Sequence, residues 1–160
     1  HDLGAAVQAW AVEWHKLAAA HRVILQVEDL TGVGVVAYHE STLRRALLNL
    51  VQNALEAMPQ GGLITLAGQG TASQVQLQVH DTGTGIPTER LAQVFEPLYT
   101  TKPGGTGLGL YLVREIVAAH GGQVTVQSSK EQGTTFTLIL PRSGPGPSTH
   151  LALADPPRLA

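Results

Sequence analysis

Residues 81–109 read DTGTGIPTERLAQVFEPLYTTKPGGTGLG, and the rest of the chain is organised around them. A carboxylate, Asp81, closes an apolar strand pattern. Glycines at 83 and 85, a short helical turn and Thr100-Thr101-Lys102 follow, and glycines at 104, 105, 107 and 109 then run into a helix. Glycine permits positive φ and lets backbone N–H groups approach a ligand that a Cβ would hold off. A helix N-terminus behind such glycines adds partial positive charge suited to phosphate. A loop that only connects elements needs few of these features, so the segment reads as a nucleotide-binding loop, long enough to serve as a lid.

On its N-terminal side, strands are predicted over 63–67 and 75–81, with a turn between. The second alternates Val75, Leu77 and Val79 with Gln74, Gln76, Gln78 and His80, so one face is buried and Asp81 arrives at the strand end beside the glycines. An Asp there also suits capping of the following turn, and on the residues alone both roles stay open. His80 reads as an ordinary strand residue, because no second His or Cys lies at metal spacing. Further upstream, STLRRALLNLVQNALEAM (41–58) predicts an amphipathic helix with Ser41 as its N-cap and a stop at Pro59 and Gly61-Gly62. Leu43, Leu47, Leu50 and Ala54 fall on one side, while Asn49, Asn53 and Glu56 form a polar stripe on another. A solvated face is the plain reading of that stripe. Two asparagines in a helix interior weigh against it, since Asn competes for its own backbone, and carboxamide oxygens are hard, neutral ligands suited to Mg²⁺.

Beyond the loop, Leu108, Leu112, Ile116 and Ala119 predict a helix over 108–120, and a hairpin of strands at 124–127 and 134–140 ends at Pro141. Residues 143–160 are rich in Pro and Gly and aperiodic, which divides the chain into a domain at 1–142 and a tail or linker. At the other end, Leu3, Val7, Trp10, Trp14 and Leu17 stripe a helix over 3–20. Strands are expected at 23–27 and 35–38, paired antiparallel across a turn at 31–34.

Composition narrows the function classes. The 160 residues suit one domain with a real core, and 43% hydrophobic with 14% charged residues is ordinary for a globular protein. A net charge of −2 without a Lys/Arg cluster gives no footprint for nucleic acid or an anionic membrane. Cysteine is absent, no apolar run reaches membrane-spanning length, and His1-Asp2 does not begin a signal peptide. The expectation is a cytoplasmic domain, cut from a longer protein because it starts without Met. Spacing removes three nucleotide folds. Lys102 precedes the glycines, unlike a P-loop; Gly105-Thr106-Gly107-Leu108-Gly109 follows Thr-Thr-Lys-Pro instead of a strand, unlike a dinucleotide fold; and no H-R-D or D-F-G occurs.

Taken together, the chain resembles the catalytic, ATP-binding domain of two-component sensor histidine kinases, within the gyrase, chaperone, kinase and mismatch-repair ATPase superfamily. Four boxes match in order: NLVQNALEAM (49–58), DTGTGIP (81–87), VFEPLYTTK (94–102) and GGTGLGL (104–110), with GTTFTLILP (133–141) as the closing strand. The likeness covers residues 3–141, and its wording is most similar to the nitrogen-regulation class. It implies that Asn53 ligates Mg²⁺ on the ATP phosphates and that Asp81 accepts from the adenine amino group. Gly83 and Gly85 would curl the chain under the base, with Ile86 against it. Lys102 would lie near the phosphates, Gly105, Gly107, Leu108 and Gly109 would shape the phosphate cradle, and Thr135 would hydrogen-bond near the adenine. Asn49 stands where hydrolysing members carry a water-activating Glu, and an amide cannot be that base. Leu98 departs from the pattern, in a place where an aromatic is commoner, and the dimerisation domain with the phosphoacceptor His is missing. His1, His15 and His21 are expected on the surface of the first helix and its ends.

The expected fold is thus an α/β two-layer sandwich, a mixed, mostly antiparallel sheet of about five strands under three helices, with a flexible ATP lid. The expected function is ATP binding and transfer of the γ-phosphate to a His on a domain outside this chain, with a response regulator downstream. A nucleotide-gated interaction module and a superfamily ATPase are the alternatives.

Overall fold

The apolar stripe of the first helix sets the packing. In the computed structural model, which describes residues 1–99 and 107–145, α1 (Leu3–Ala20) buries Leu3, Val7, Trp10 and Trp14, and Asp2 caps it by accepting from the Ala5 N–H at 3.0 Å. The chain continues through β1 (Val23–Val27), α2 (Glu40–Glu56), β2 (Gly62–Gly70), β3 (Gln74–Asp81), a 3₁₀ turn (Thr88–Arg90), α3 (Gly109–Ala119), β4 (Gln123–Ser129) and β5 (Gly133–Pro141). The strands form one sheet in the order β1-β2-β3-β5-β4, parallel between β1 and β2 and antiparallel elsewhere. The three helices pack on one face, where Ile64, Leu66, Leu77, Val79, Phe136 and Leu138 meet Leu43, Leu47 and Leu50 of α2. Burial alternates along the strands, so the opposite face carries the intervening Gln and Thr residues.

Two expectations are corrected here. Residues 35–38 do not form a strand antiparallel to β1, whose partner is β2, in parallel. Their backbone is used by the chain ends instead: the Leu3 N–H donates to Gly34 O, the Val36 N–H to His1 O and the Ala37 N–H to Arg142 O, at 2.9–3.0 Å, and the apolar Val33 and Val36 pack into the core from a loop. The second correction concerns the start of α2. The N-cap is His39, not Ser41. The His39 N–H donates to Nε2 of His120 at 3.0 Å, while Nδ1 of His120 meets Ile116 O at 2.7 Å. A carbonyl on one nitrogen and an N–H on the other make His120 the neutral Nδ1–H tautomer. This 2% exposed imidazole straps the start of α2 to the end of α3.

The domain extends at least through Arg142, whose guanidinium donates to the carbonyls of Thr71, Val33 and Val35. The expected tail beyond residue 145 lies outside the described residues. At the hairpin between β4 and β5, Gly133 has φ +78°, and a Cβ there would sit 1.9 Å from Asp81 O. Gly133→Ala is therefore expected to destabilise the domain by on the order of 3 kcal/mol, through both the forbidden φ and the clash. Denaturant unfolding measures this, and an unchanged midpoint would contradict it.

Candidate functional site

The polar stripe of α2 faces the loop after β3 across a cleft of about 610 Å³. Asn49, Gln52, Asn53 and Glu56 line one wall. Asp81 and Thr84–Pro87 line the other, and Gly107, Gly109 and Leu110 bring the start of α3 to the cleft. Asn49 also makes a long contact, 3.5 Å from Nδ2 to Gly109 O, between the two helices. The walls suit an anionic, flat ligand: amide side chains and a helix start on one side, one buried carboxylate on the other.

Asp81 is 2% exposed. Its Oδ1 accepts from the Gly83 N–H at 2.8 Å, so the turn-capping role is realised in the same side chain that lines the cleft. The loop then presses against its neighbours. The Thr84 N–H reaches Ala57 O at the end of α2, the Ile86 N–H donates to Ser128 Oγ at 2.7 Å, and a Cβ on Gly85, at φ +77°, would meet Ser129 O at 2.5 Å. Only glycine fits there. Farther along, Phe95 packs edge-on to Phe136 with centroids 5.9 Å apart, which anchors this segment without help from Leu98. Leu98 is exposed with φ +64°, and its N–H donates to Gly107 O.

The family model described as histidine kinase-, DNA gyrase B- and HSP90-like ATPase matches residues 38–144. The chain belongs to this family. Among relatives it is similar to the sensor histidine kinase ZraS of Escherichia coli (strain K12), 44% identical over 99 residues that cover 62% of this chain and 21% of that protein. Among solved structures it is similar to the catalytic domain of histidine kinase ThkA, with TM-score 0.77, 28% identity and coverage of 89% of this chain and 95% of that one. Full-length ShkA in complex with AMPPNP gives TM-score 0.80, 27% identity and coverage of 90% and 31%. The chain spans a quarter or less of the length of the curated relatives it matches. It is an ATP-binding catalytic domain of the sensor histidine kinase type, and its three helices over a mixed five-stranded sheet are the fold of that domain.

Of the residues expected in the site of this kinase domain, Asn49, Asn53, Asp81, Gly85, Ile86, Gly107 and Gly109 line the cleft. Gly83 supports Asp81 from behind. Leu108 is the N-cap of α3, its carbonyl accepting from the Leu112 N–H at 2.8 Å. Lys102 and Gly105 lie outside the described residues. Thr135 is placed elsewhere: its hydroxyl meets His80 Nδ1 at 2.7 Å on the face away from the helices. Asp81 is in register with Thr134, so Thr134 shares the face of Asp81 and lines the cleft, and Thr135 points the opposite way. Counting by twos from Asp81 across the register would have found Thr134, but the register is not written in either strand alone. Gln52, Glu56, Arg90 and Tyr99 also line the cleft. The first two follow from helical spacing to Asn49 and Asn53; the last two carry no signal beyond proximity to the loop. Among the described residues, no group of three or more His, Cys, Asp or Glu side chains could hold a metal, and no helix is long and apolar enough to cross a membrane.

Proposed function

We propose that this domain binds Mg²⁺-ATP in the cleft and, within the longer protein, directs the γ-phosphate to a histidine on a dimerisation domain outside this chain. The observation that supports this best is the buried Asp81 at the end of β3, facing an asparagine-bearing helix across a cleft of nucleotide size. Asp81 accepts from the adenine amino group. Gly85 and Ile86 hold the loop under the base, and Gly107, Gly109 and the start of α3 cradle phosphates, with Leu108, Gly105 and Lys102 contributing from the same segment.

Asn53 supplies a carboxamide oxygen on the cleft wall, which fits a hard cation that already carries phosphate oxygens and waters. Magnesium, when bound, neutralises phosphate charge. The chain's own residues supply positioning, which is most of what phosphoryl transfer asks of a protein. Asn49, an amide beside the phosphate end, cannot abstract a proton from water, which favours transfer over hydrolysis and sets this reading above a superfamily ATPase. An interaction module that only senses nucleotide would not need the Asn49 and Asn53 pair. The cytoplasm as location, a response regulator as downstream partner, the nitrogen-regulation class and a domain boundary at 142 belong to the same proposal.

Calorimetry with ATP, with and without magnesium, tests the reading. The wild-type chain is expected to bind ATP more tightly with magnesium, and Asn53→Ala to lose that gain, about tenfold or more. A magnesium dependence that survives in Asn53→Ala would remove Asn53 from the metal.

A further inference from the structure

The two helices that wall the cleft are tied at both ends of their contact. At the cleft end, Nδ2 of Asn49 reaches Gly109 O at the start of α3. At the far end, the His39 N–H donates to Nε2 of His120, so the start of α2 meets the end of α3 and the two helices run antiparallel. The residues between the ties span about 15 Å on either helix. Beside His120 the chain stops α3 sharply: Gly121, at φ +76°, donates its N–H to Ala118 O and Gly122 donates to Val117 O, both at 2.9 Å, which is a Schellman cap. The ring folds back over that last turn, with Nδ1–H on Ile116 O and the Nε2 lone pair on the His39 N–H. Both directions are fixed, because a carbonyl only accepts and a backbone N–H only donates. Burial along α3 is uneven. Val113, Ile116 and Val117 are buried, whereas Gly109 is exposed and Leu110, Tyr111 and Leu112 are half-buried, so the helix is gripped in its second half and its cleft end projects.

We propose that His120 is a positioning residue for phosphate binding: it pins the end of α3 to α2 and thereby holds the glycine-bearing start of α3 at one depth in the cleft. This inference rests on the ATP-binding reading above. A tilt of about 5° at the gripped end carries the start of an 11-residue helix about 1.4 Å. Gly107 and Gly109 line the cleft, and bonds from backbone N–H groups to phosphate do not survive a displacement of that size at full strength. The base is held by other elements. Asp81 is fixed by the Gly83 N–H and the loop at Ile86 by Ser128 of β4, and neither bond involves α3. Loosening His120 therefore costs phosphate contacts and spares the base. His120 itself is not among the residues that line the cleft and acts only through the helix.

Two substitutions divide the two bonds of the ring. Asparagine places its amide where Nδ1 lies, keeping a donor for Ile116 O but falling short of His39, whereas glutamine brings its oxygen to the position of Nε2 and keeps the tie to α2. The test is the pair of dissociation constants for ATP with magnesium and for adenosine, measured on the whole chain by calorimetry and by amide chemical-shift titration. His120→Asn is expected to raise the Kd of ATP about tenfold and to leave that of adenosine within about twofold. His120→Gln is expected to keep both within about threefold of wild type. Should His120→Asn fail to fold by circular dichroism, His39→Pro, which deletes the N–H at the other end of the same bond, is read in the same way. Unchanged ATP affinity in His120→Asn overturns the proposal. So does an equal loss for ATP and adenosine, which would mark a general disturbance of the domain, and so does a glutamine variant no better than the asparagine one. Failure of the wild-type chain to bind ATP would instead overturn the nucleotide reading itself.

Discussion

Asp81→Asn is expected to raise the dissociation constants of ATP and ADP about a hundredfold while leaving the fold intact. The substitution is chosen by geometry. Oδ1 of Asp81 accepts from the Gly83 N–H, and an asparagine keeps an oxygen for that bond, so the turn after β3 survives. The other carboxylate oxygen becomes an NH₂. In a cleft wall this buried, a donor then faces the adenine amino group, also a donor, and neither finds water to replace the lost bond. Calorimetry reads the affinity, and circular dichroism with thermal melting reads the fold. Nucleotide affinity that stays within a few-fold of wild type would detach Asp81 from the base. Loss of affinity together with loss of the melting transition would mean that the carboxylate serves the core.

Much of this site was legible in sequence because its parts are local. Asn49, Asn53 and Glu56 share a helix, so spacing alone puts them on one stripe, and their cleft position follows once Leu43, Leu47 and Leu50 choose the core face. Asp81 could be placed at a strand end because Val75, Leu77 and Val79 alternate. The parallel partner of β1 and the loop at 33–38 were not legible. The apolar run VGVVAY looks like a strand, and only contacts with His1, Leu3 and Arg142, at opposite ends of the chain, take its backbone hydrogen bonds elsewhere. The helix start was missed for a similar reason. Ser41 is the better local cap, but the N–H of His39 finds its partner in His120, 81 residues away. Thr134 and Thr135 show how fine the limit is, since a shift of one residue in a strand exchanges cleft for open face.

The proposed phosphoryl transfer needs an acceptor histidine, and none among the described residues is placed to be one; His150 lies outside them. The attacking imidazole must lie in line and within about 3.5 Å of the γ-phosphate. Among the described residues, no histidine lines the cleft. His120 is buried with both ring nitrogens engaged, His80 is bonded to Thr135 on the far face of the sheet, and His39 caps α2. His15 lies on α1, His21 at its C-cap and His1 just before it. The isolated chain is therefore expected to bind ATP without labelling itself. A separate helical domain carrying an acceptor histidine should become labelled when mixed with it, slowly, because the effective concentration of a tethered acceptor is lost.

The most direct measurement is incubation of this chain with γ-labelled ATP and magnesium, alone and with such an acceptor domain, followed by acid and alkali treatment of the product. Label is expected on the acceptor domain only, lost in acid and kept in alkali as a phosphoramidate should be. Acid-stable label on the isolated chain, at close to one phosphate per chain, would contradict this expectation.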